Sequence, residues 1–346
     1  MTEPLPTQAI RASVVVPVYN AQRTLETCLS SLCDQTLPRD QYEIVVVDDG
    51  STDRSPEIAR QYRVRQLVQA NQGPAVARNA GARIATGEVV LFTDSDCVPT
   101  KNWIEEMVRP FDDPSVVGVA GVYRTTQRSL AARFSQTEFE DRYRLMSRGT
   151  AIDFLATYSA GLRRSVFQES GGFDHRFPVA NNEDTELSYR LSQAGHRMVF
   201  NPAAIVYHRH PPTFRKYFMM KIWRAYWRIV VYRRYPGKAV KDTYTPPIVK
   251  LQTLAMMTSF ALLPIAAFSG RLLPAILVLW LCAFLSSLPF ARRSFTRDRV
   301  VGLIAPFVVF LRSISFAIGS ALGILRCIAM QIVPDARSRS HVFRRQ

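Results

Sequence analysis

At 346 residues the chain is too long for one ordinary domain and fits one large domain plus an accessory part. Its formal charge of +16 is unevenly placed: residues 1–212 carry 23 Lys/Arg against 25 Asp/Glu, whereas residues 213–346 carry 21 against 3. The basic part also holds the long apolar stretches, which points to an anionic membrane surface and disfavours nucleic acid as a partner. Cys28, Cys33, Cys97, Cys282 and Cys327 are odd in number and lack the paired spacing of a zinc site or disulfide framework, which suggests a reducing compartment. Met1–Arg11 has no apolar core of signal-peptide length, so the domain that follows is expected in the cytoplasm.

In chain order, Ser13–Val16, Glu43–Val47 and Glu88–Phe92 are short β-branched runs of the kind found in buried parallel strands. Between them, residues 21–35, 53–62 and 74–85 repeat apolar residues every three to four positions, with Pro56 and Pro74 placed where a first helical turn tolerates proline. This βαβαβ order predicts an α/β domain over residues 12–212, with a mostly parallel sheet and helices on both faces. Ligands then bind at the carboxyl ends of the strands. Three polar segments fall on that edge: Pro17-Val18-Tyr19-Asn20, Asp48-Asp49-Gly50-Ser51 and Thr93-Asp94-Ser95-Asp96. A fourth apolar run, Val116–Ala120, follows a helix beginning near Trp103, and Arg124–Arg148 is charged and helical in pattern.

Two acidic turns on one sheet edge repel each other unless they serve a cation, ribose hydroxyls or base N–H donors. In an extended Asp-x-Asp loop the carboxylates lie on one side, so one can face a divalent metal while the other reaches metal-bound water or a ribose. Arg78, in the helix opened by Gly73-Pro74, offers positive charge toward a phosphate-bearing donor or simply a solvated helix face. Neither Gly-x-Gly-x-x-Gly nor Gly-x-x-x-x-Gly-Lys-Ser/Thr occurs, which disfavours dinucleotide oxidoreductases and P-loop ATPases.

The segments 16–20, 47–51, Ala77-Arg78-Asn79-x-Gly81, 93–96, Gly171-Gly172-Phe173-Asp174 and Glu183-Asp184-x-Glu186-Leu187 resemble, in order, the motifs of the family-two glycosyltransferases of GT-A fold. The resemblance covers about residues 12–210. It implies an inverting hexosyltransferase with a nucleotide-sugar donor, in which Pro17, Tyr19, Asn20 and Asp49 border the nucleoside and Asp94 and Arg78 assist. It also implies Asp96 as principal ligand of Mn2+ or Mg2+, with His208 completing the metal shell as in some relatives, although His210 competes for that reading. Asp184 is the expected catalytic base, Glu183 an expected partner of acceptor hydroxyls, and Gly172-Phe173 an expected acceptor wall.

Departures from the family pattern narrow the expectation. Processive synthases carry Gln-x-x-Arg-Trp, whereas residues 221–227 read Lys-Ile-Trp-Arg-Ala-Tyr-Trp, so a single addition is expected. Cys97-Val98-Pro99 replaces the Leu-Gln of dolichol-phosphate-type relatives, which counts against a bare polyprenyl phosphate acceptor.

Residues 213–250 mix aromatic and basic side chains as an interfacial helix does, and residues 251–346 read as a transmembrane region. Spans are expected near 251–269 and 272–290, and the stretch 300–333, interrupted by Arg312, Gly319 and Gly323, is expected to turn back or cross twice. Arginines on both its flanks place them in the cytosol, giving a multi-pass protein of the inner membrane. The expected acceptor is a lipid-linked or cell-surface saccharide, as in polysaccharide biosynthesis, and membrane lipids are expected partners; the oligomeric state is left open. Two other readings stand beside this one: a haloacid-dehalogenase-like phosphatase using the Asp94–Asp96 loop, and a membrane scaffold that binds a sugar nucleotide without transfer.

Overall fold

The apolar runs of the first half pair edge to edge in an eight-stranded mixed sheet. In the computed structural model, which describes residues 10–177 and 181–332, the elements of this half are β1 (Ala12–Val18), α1 (Leu25–Cys33), β2 (Tyr42–Asp48), α2 (Ser55–Arg60), β3 (Arg65–Val68), α3 (Pro74–Ile84), β4 (Val89–Phe92), β5 (Val98–Pro99), α4 (Trp103–Val108), β6 (Val116–Arg124), α5 (Leu130–Met146), β7 (Ala160–Arg163), α6 (Arg164–Glu169), α7 (Glu183–Gln193) and β8 (Arg197–Tyr207). Most of the expected N-terminal tail and the last four arginines lie outside the described residues. The strand order is β3-β2-β1-β4-β7-β6-β8-β5. β1 runs parallel to β2 and β4, β2 to β3, and β6 to β8, while β7 is antiparallel to both β4 and β6, and β5 to β8.

Alternation along the strands splits the core in two. Val15, Val45 and Val47 pack with alanines of α3, Phe139 of α5 and Leu187 of α7, whereas Val14, Val16, Ile44 and Val46 pack with Leu25 and Leu29 of α1 and Trp103 of α4. The helices thus cover both faces. α3 lies very close to the sheet because Gly81 has no side chain: a Cβ there would overlap Val15 and lie 2.9 Å from Val47 Cγ2. Residues 242–244 also belong to this unit; Thr243 donates from N–H and Oγ1 to Asp153 Oδ1, and Tyr244 stacks on Phe154 at 3.8 Å.

Glu43 illustrates the polar bracing beneath the sheet. Its carboxylate accepts from Ser13 Oγ, Thr86 N–H and Oγ1, and Arg65 Nη1 at 2.7–2.8 Å. Burial alone would raise its pKa, but the hydrogen bonds from Arg65, Ser13 and Thr86 outweigh it and bring the value from 4.5 to about 2. The folded value lies below the unfolded one, so this stabilisation is present above about pH 4.5 and is lost as pH falls toward 2. Glu43→Gln is therefore expected to lower stability at pH 7 by on the order of 2 to 3 kcal/mol. Thermal unfolding from pH 7 downward should show the gap to wild type narrowing below about pH 4.5.

The second unit starts at Thr213. It contains α8 (Phe214–Arg234), α9 (Pro236–Val240), α10 (Pro247–Ser269), α11 (Leu273–Leu285), α12 (Leu288–Arg297) and α13 (Arg299–Ile332). Three stretches are long and apolar enough to cross a membrane: Pro247–Ser269, Leu273–Arg297 and Arg299–Ala329. The expected reversal within 300–333 does not occur among the described residues, since α13 is one continuous helix. Its glycines are packing positions rather than breaks. A Cβ on Gly319 would strike the Ile222 carbonyl of α8, and one on Gly323 would lie 2.6 Å from the Tyr226 carbonyl, so this small-xxx-small stripe lets the two backbones touch. Gly319→Leu should force α8 off α13, at a cost of about 1 to 3 kcal/mol for overpacking, and appear as a lower unfolding midpoint of the full chain in detergent. Arg312, buried in α13, donates to Gln252 Oε1 at 2.9 Å, and Gln252 Nε2 donates onward to Ser286 Oγ at 2.9 Å.

Candidate active site

Parallel pairing of β2, β1 and β4 brings their three following loops to one edge. At the end of β1, Pro17 is half-buried and Tyr19 is 54% exposed, while Asn20 (φ 51°) accepts the Thr52 N–H at 2.8 Å and so ties the first loop to the second. Gly50 holds φ 78°, and a Cβ there would lie 2.9 Å from Asn71 N, so the second loop closes against the segment before α3 only with glycine. Asp49 was expected at the nucleoside. Its buried carboxylate accepts from Gln69 Nε2 and from the backbone N–H groups of Gln72 and Gly73 at 2.7–2.9 Å, which shapes the entrance to α3.

The third loop leaves β4 as Thr93-Asp94-Ser95-Asp96, and the Cys97 N–H to Asp94 carbonyl bond at 3.0 Å tightens its turn. β5 then pairs antiparallel with the end of β8, Val98 opposite Tyr207, and that register brings His208 alongside the Asp-x-Asp loop. His208 Nε2 lies 3.4 Å from Asp96 Oδ1. His210 faces elsewhere: it is buried, pairs with Gln136 Oε1 at 3.0 Å and stacks on Tyr123, whose ring also stacks on His208. Of the two histidines, only His208 joins the acidic loop.

Ligand atoms of Asp94, Asp96, Cys97 and His208 all lie within 4.8 Å of one another. Burial raises the Asp96 carboxyl above its ordinary value, with His208 and Arg209 opposing and Asp94 adding to the rise. Burial together with the same two carboxylates also pushes the Cys97 thiol well up. Two carboxylates, an imidazole and a thiol gathered this closely fit a divalent cation, whose charge would relieve that concentration of negative charge.

Arg78, expected to face a donor or solvent, is only 2% exposed and bridges two carboxylates: Nη2 donates to Asp94 Oδ1 at 2.7 Å and Nη1 to Glu183 Oε1 at 2.8 Å. It thereby ties the Asp-x-Asp loop to the start of α7. Glu183, expected at acceptor hydroxyls, is buried on Arg78, and its Oε2 accepts the Asn181 N–H at 2.6 Å. Burial raises the Glu183 pKa, Arg78 pulls it back, and nearby Asp184 pushes it up again. Asp184 is half-exposed in the first turn of α7, with Oδ1 accepting the Thr185 N–H at 2.7 Å.

The expected acceptor wall is also part of the core. Phe173 packs on Phe92 and Phe167, and its backbone N–H and carbonyl both pair with the Asn79 side chain at 2.8 Å. Gly172 sits at φ 69° where a Cβ would lie 2.5 Å from Asn79 Oδ1, so this glycine makes room for the clamp. Asn79 was quoted in the sequence only as part of a motif, and its clamp role joins residues 94 positions apart.

Residues 13–171 match the Glycosyl transferase family 2 model. Glycosyltransferase AglE of Haloferax volcanii is 30% identical over 198 residues, 54% of this chain and 63% of the relative. Probable glycosyltransferase YdaM of Bacillus subtilis is 27% identical over 235 residues, 63% of this chain and 53% of the relative. The chain thus spans just over half to under two thirds of the length of these relatives. Among solved structures, the mannosyltransferase PcManGT of Pyrobaculum calidifontis, in complex with GDP-Man and Mn2+, is similar with a TM-score of 0.58 and 25% identity, covering 93% of this chain and 89% of that one. Residues 13–171 thus form a glycosyl transferase family 2 domain of GT-A-like fold, and a C-terminal helical region follows it.

Proposed function

We propose that the protein is a metal-dependent, inverting glycosyltransferase that moves one sugar from a nucleoside-diphosphate donor to a hydroxyl of a membrane-associated acceptor, either a lipid-linked or a cell-surface saccharide. The observation that carries this reading is the meeting of Asp94, Asp96 and His208 at the strand edge, linked through Arg78 to the turn that presents Asp184. The similar mannosyltransferase holds GDP-Man and Mn2+, which supports a nucleotide sugar and a dication here.

Asp96 and His208 would hold Mn2+ or Mg2+, with Asp94 alongside, and a dication held there would supply positive charge to stabilise the leaving diphosphate. The exposed Tyr19 ring offers a stacking face to the base, with Pro17 and Asn20 beside it. Asp184 takes the proton of the acceptor hydroxyl while that oxygen attacks the anomeric carbon from the face opposite the diphosphate. The carbon–diphosphate bond breaks in the same step, giving an inverted glycoside and free nucleoside diphosphate.

Three apolar helices support a protein held in the inner membrane, and the basic α8 and α9 just before the first of them support a first unit in the cytoplasm; a single crossing by α13 would set its two arginine-bearing flanks on opposite sides, contrary to the expectation of both in the cytosol. The test is a panel of nucleotide sugars offered with Mn2+ or Mg2+ to membranes containing the full chain. One donor should yield a glycoside of inverted configuration by NMR, and a product of retained configuration would overturn the proposed chemistry.

A further inference from the structure

We propose that Cys97 is a fourth donor of the cation site, binding as a thiolate, so that the site favours thiophilic dications such as Zn2+, Co2+ and Cd2+ over Mg2+. The inference rests on the metal-dependent reading of the site and extends it to a residue that reading does not use. Cys97 lies next to Asp96 in sequence and just before β5, whose Val98 pairs antiparallel with Tyr207, the residue before His208. Its Sγ falls in the same 4.8 Å group as the ligand atoms of Asp94, Asp96 and His208, and its thiol is free of any disulfide.

Metal–sulfur bonds of about 2.3 Å and metal–nitrogen or metal–oxygen bonds of about 2.0 to 2.2 Å hold donors roughly 3 to 4 Å apart. The four groups therefore close on a cation by moving about 1 Å, within the reach of side-chain rotation. Binding replaces the S–H bond by an S–metal bond and releases the proton to solvent, so charge and atoms balance.

The competing explanation is that Cys97 is a core residue, since it is fully buried and packs among apolar side chains. Cys28 gives the comparison. It is equally buried in the same cluster, yet its thiol donates to the Asp94 carbonyl at 3.6 Å and it is not among the four clustered ligands. Both thiols feel the Asp94 and Asp96 carboxylates, but among the described residues it is the Cys97 sulfur that groups within 4.8 Å of both carboxylates and the imidazole. Oxygen-rich sites suit Mg2+ and Mn2+, and adding sulfur shifts preference toward softer ions.

The test is Co2+ titration of the full chain in detergent, followed by the near-ultraviolet charge-transfer absorption of a sulfur–cobalt bond. The band is expected in wild type and in Cys28→Ser, and absent in Cys97→Ser. That variant should still bind Mn2+ by electron paramagnetic resonance while its Cd2+ affinity drops tenfold or more. A variant with Cys28, Cys33, Cys282 and Cys327 all replaced by serine, retaining only Cys97, should keep the band even if Cys97→Ser does not fold. Co2+ binding without the band in wild type, or a band that survives in folded Cys97→Ser, overturns the role of Cys97 and leaves the metal site standing. Failure of both Co2+ and Mn2+ to bind wild type overturns the metal-dependent reading itself, and this inference with it.

Discussion

Asp184→Asn should reduce sugar transfer by about 10²- to 10⁴-fold, the range expected when a positioned general base is lost. Nucleotide-sugar and Mn2+ binding should remain close to wild type. Asparagine keeps an oxygen able to accept the Thr185 N–H that now meets Asp184 Oδ1, so α7 should begin as before. Asp184 is only partly buried, whereas Glu183 is buried on Arg78 and Glu186 is buried and pairs with Arg190 at 2.8 Å. Nucleoside diphosphate release measured beside donor binding by calorimetry separates proton abstraction from donor capture. Wild-type turnover in Asp184→Asn would remove this residue from the reaction.

Arg78→Leu is expected to damage stability and the site together. The Arg78–Glu183 pair is almost wholly buried, and removing one partner of such a pair costs about 3 to 5 kcal/mol because the other charge is left uncompensated. Asp94 loses its 2.7 Å partner in the same substitution, so the Asp-x-Asp loop should relax and Mn2+ affinity should fall with stability. Arg78→Lys tests geometry apart from charge. A single ammonium cannot reproduce the planar fork that spans Asp94 and Glu183, so lysine should rescue part of the unfolding midpoint but less of the Mn2+ affinity. Equal Mn2+ affinity in all three proteins would show that Arg78 does not position the loop.

The parts of the fold legible in the sequence were those with a repeated local signal. Buried β-branched runs located β1, β2, β4 and the start of β6, and the polar residues just past three of them located the functional edge. β3 carried no such signal: Arg65, Gln66 and Val68 of this edge strand are exposed, so the segment lacks a buried apolar run. The antiparallel insertion of β7 between β4 and β6 depends on pairing over long separations that composition does not encode. Candidate residues followed the same division. Asp94, Asp96 and His208 converge, while Arg78, Glu183 and Asp49 also hydrogen-bond neighbouring segments. A charged side chain near a strand end gives the same sequence signal whether it meets ligand or backbone, and only the tertiary partner distinguishes them. His208 and His210 likewise differ in the fold through β5–β8 register, which sets His208 by the Asp-x-Asp loop, and through the contact of His210 with Gln136.

If the cation cluster and Asp184 act as one transferase centre, turnover needs both the dication and the Asp96 carboxylate. Release of nucleoside diphosphate from a nucleotide sugar, by membranes containing the full chain, tests it most directly when followed before chelation, after chelation and after Mn2+ is restored. Release should stop on chelation, return with Mn2+, and stay negligible throughout in Asp96→Asn. Release that continues undiminished after chelation and in Asp96→Asn would contradict it.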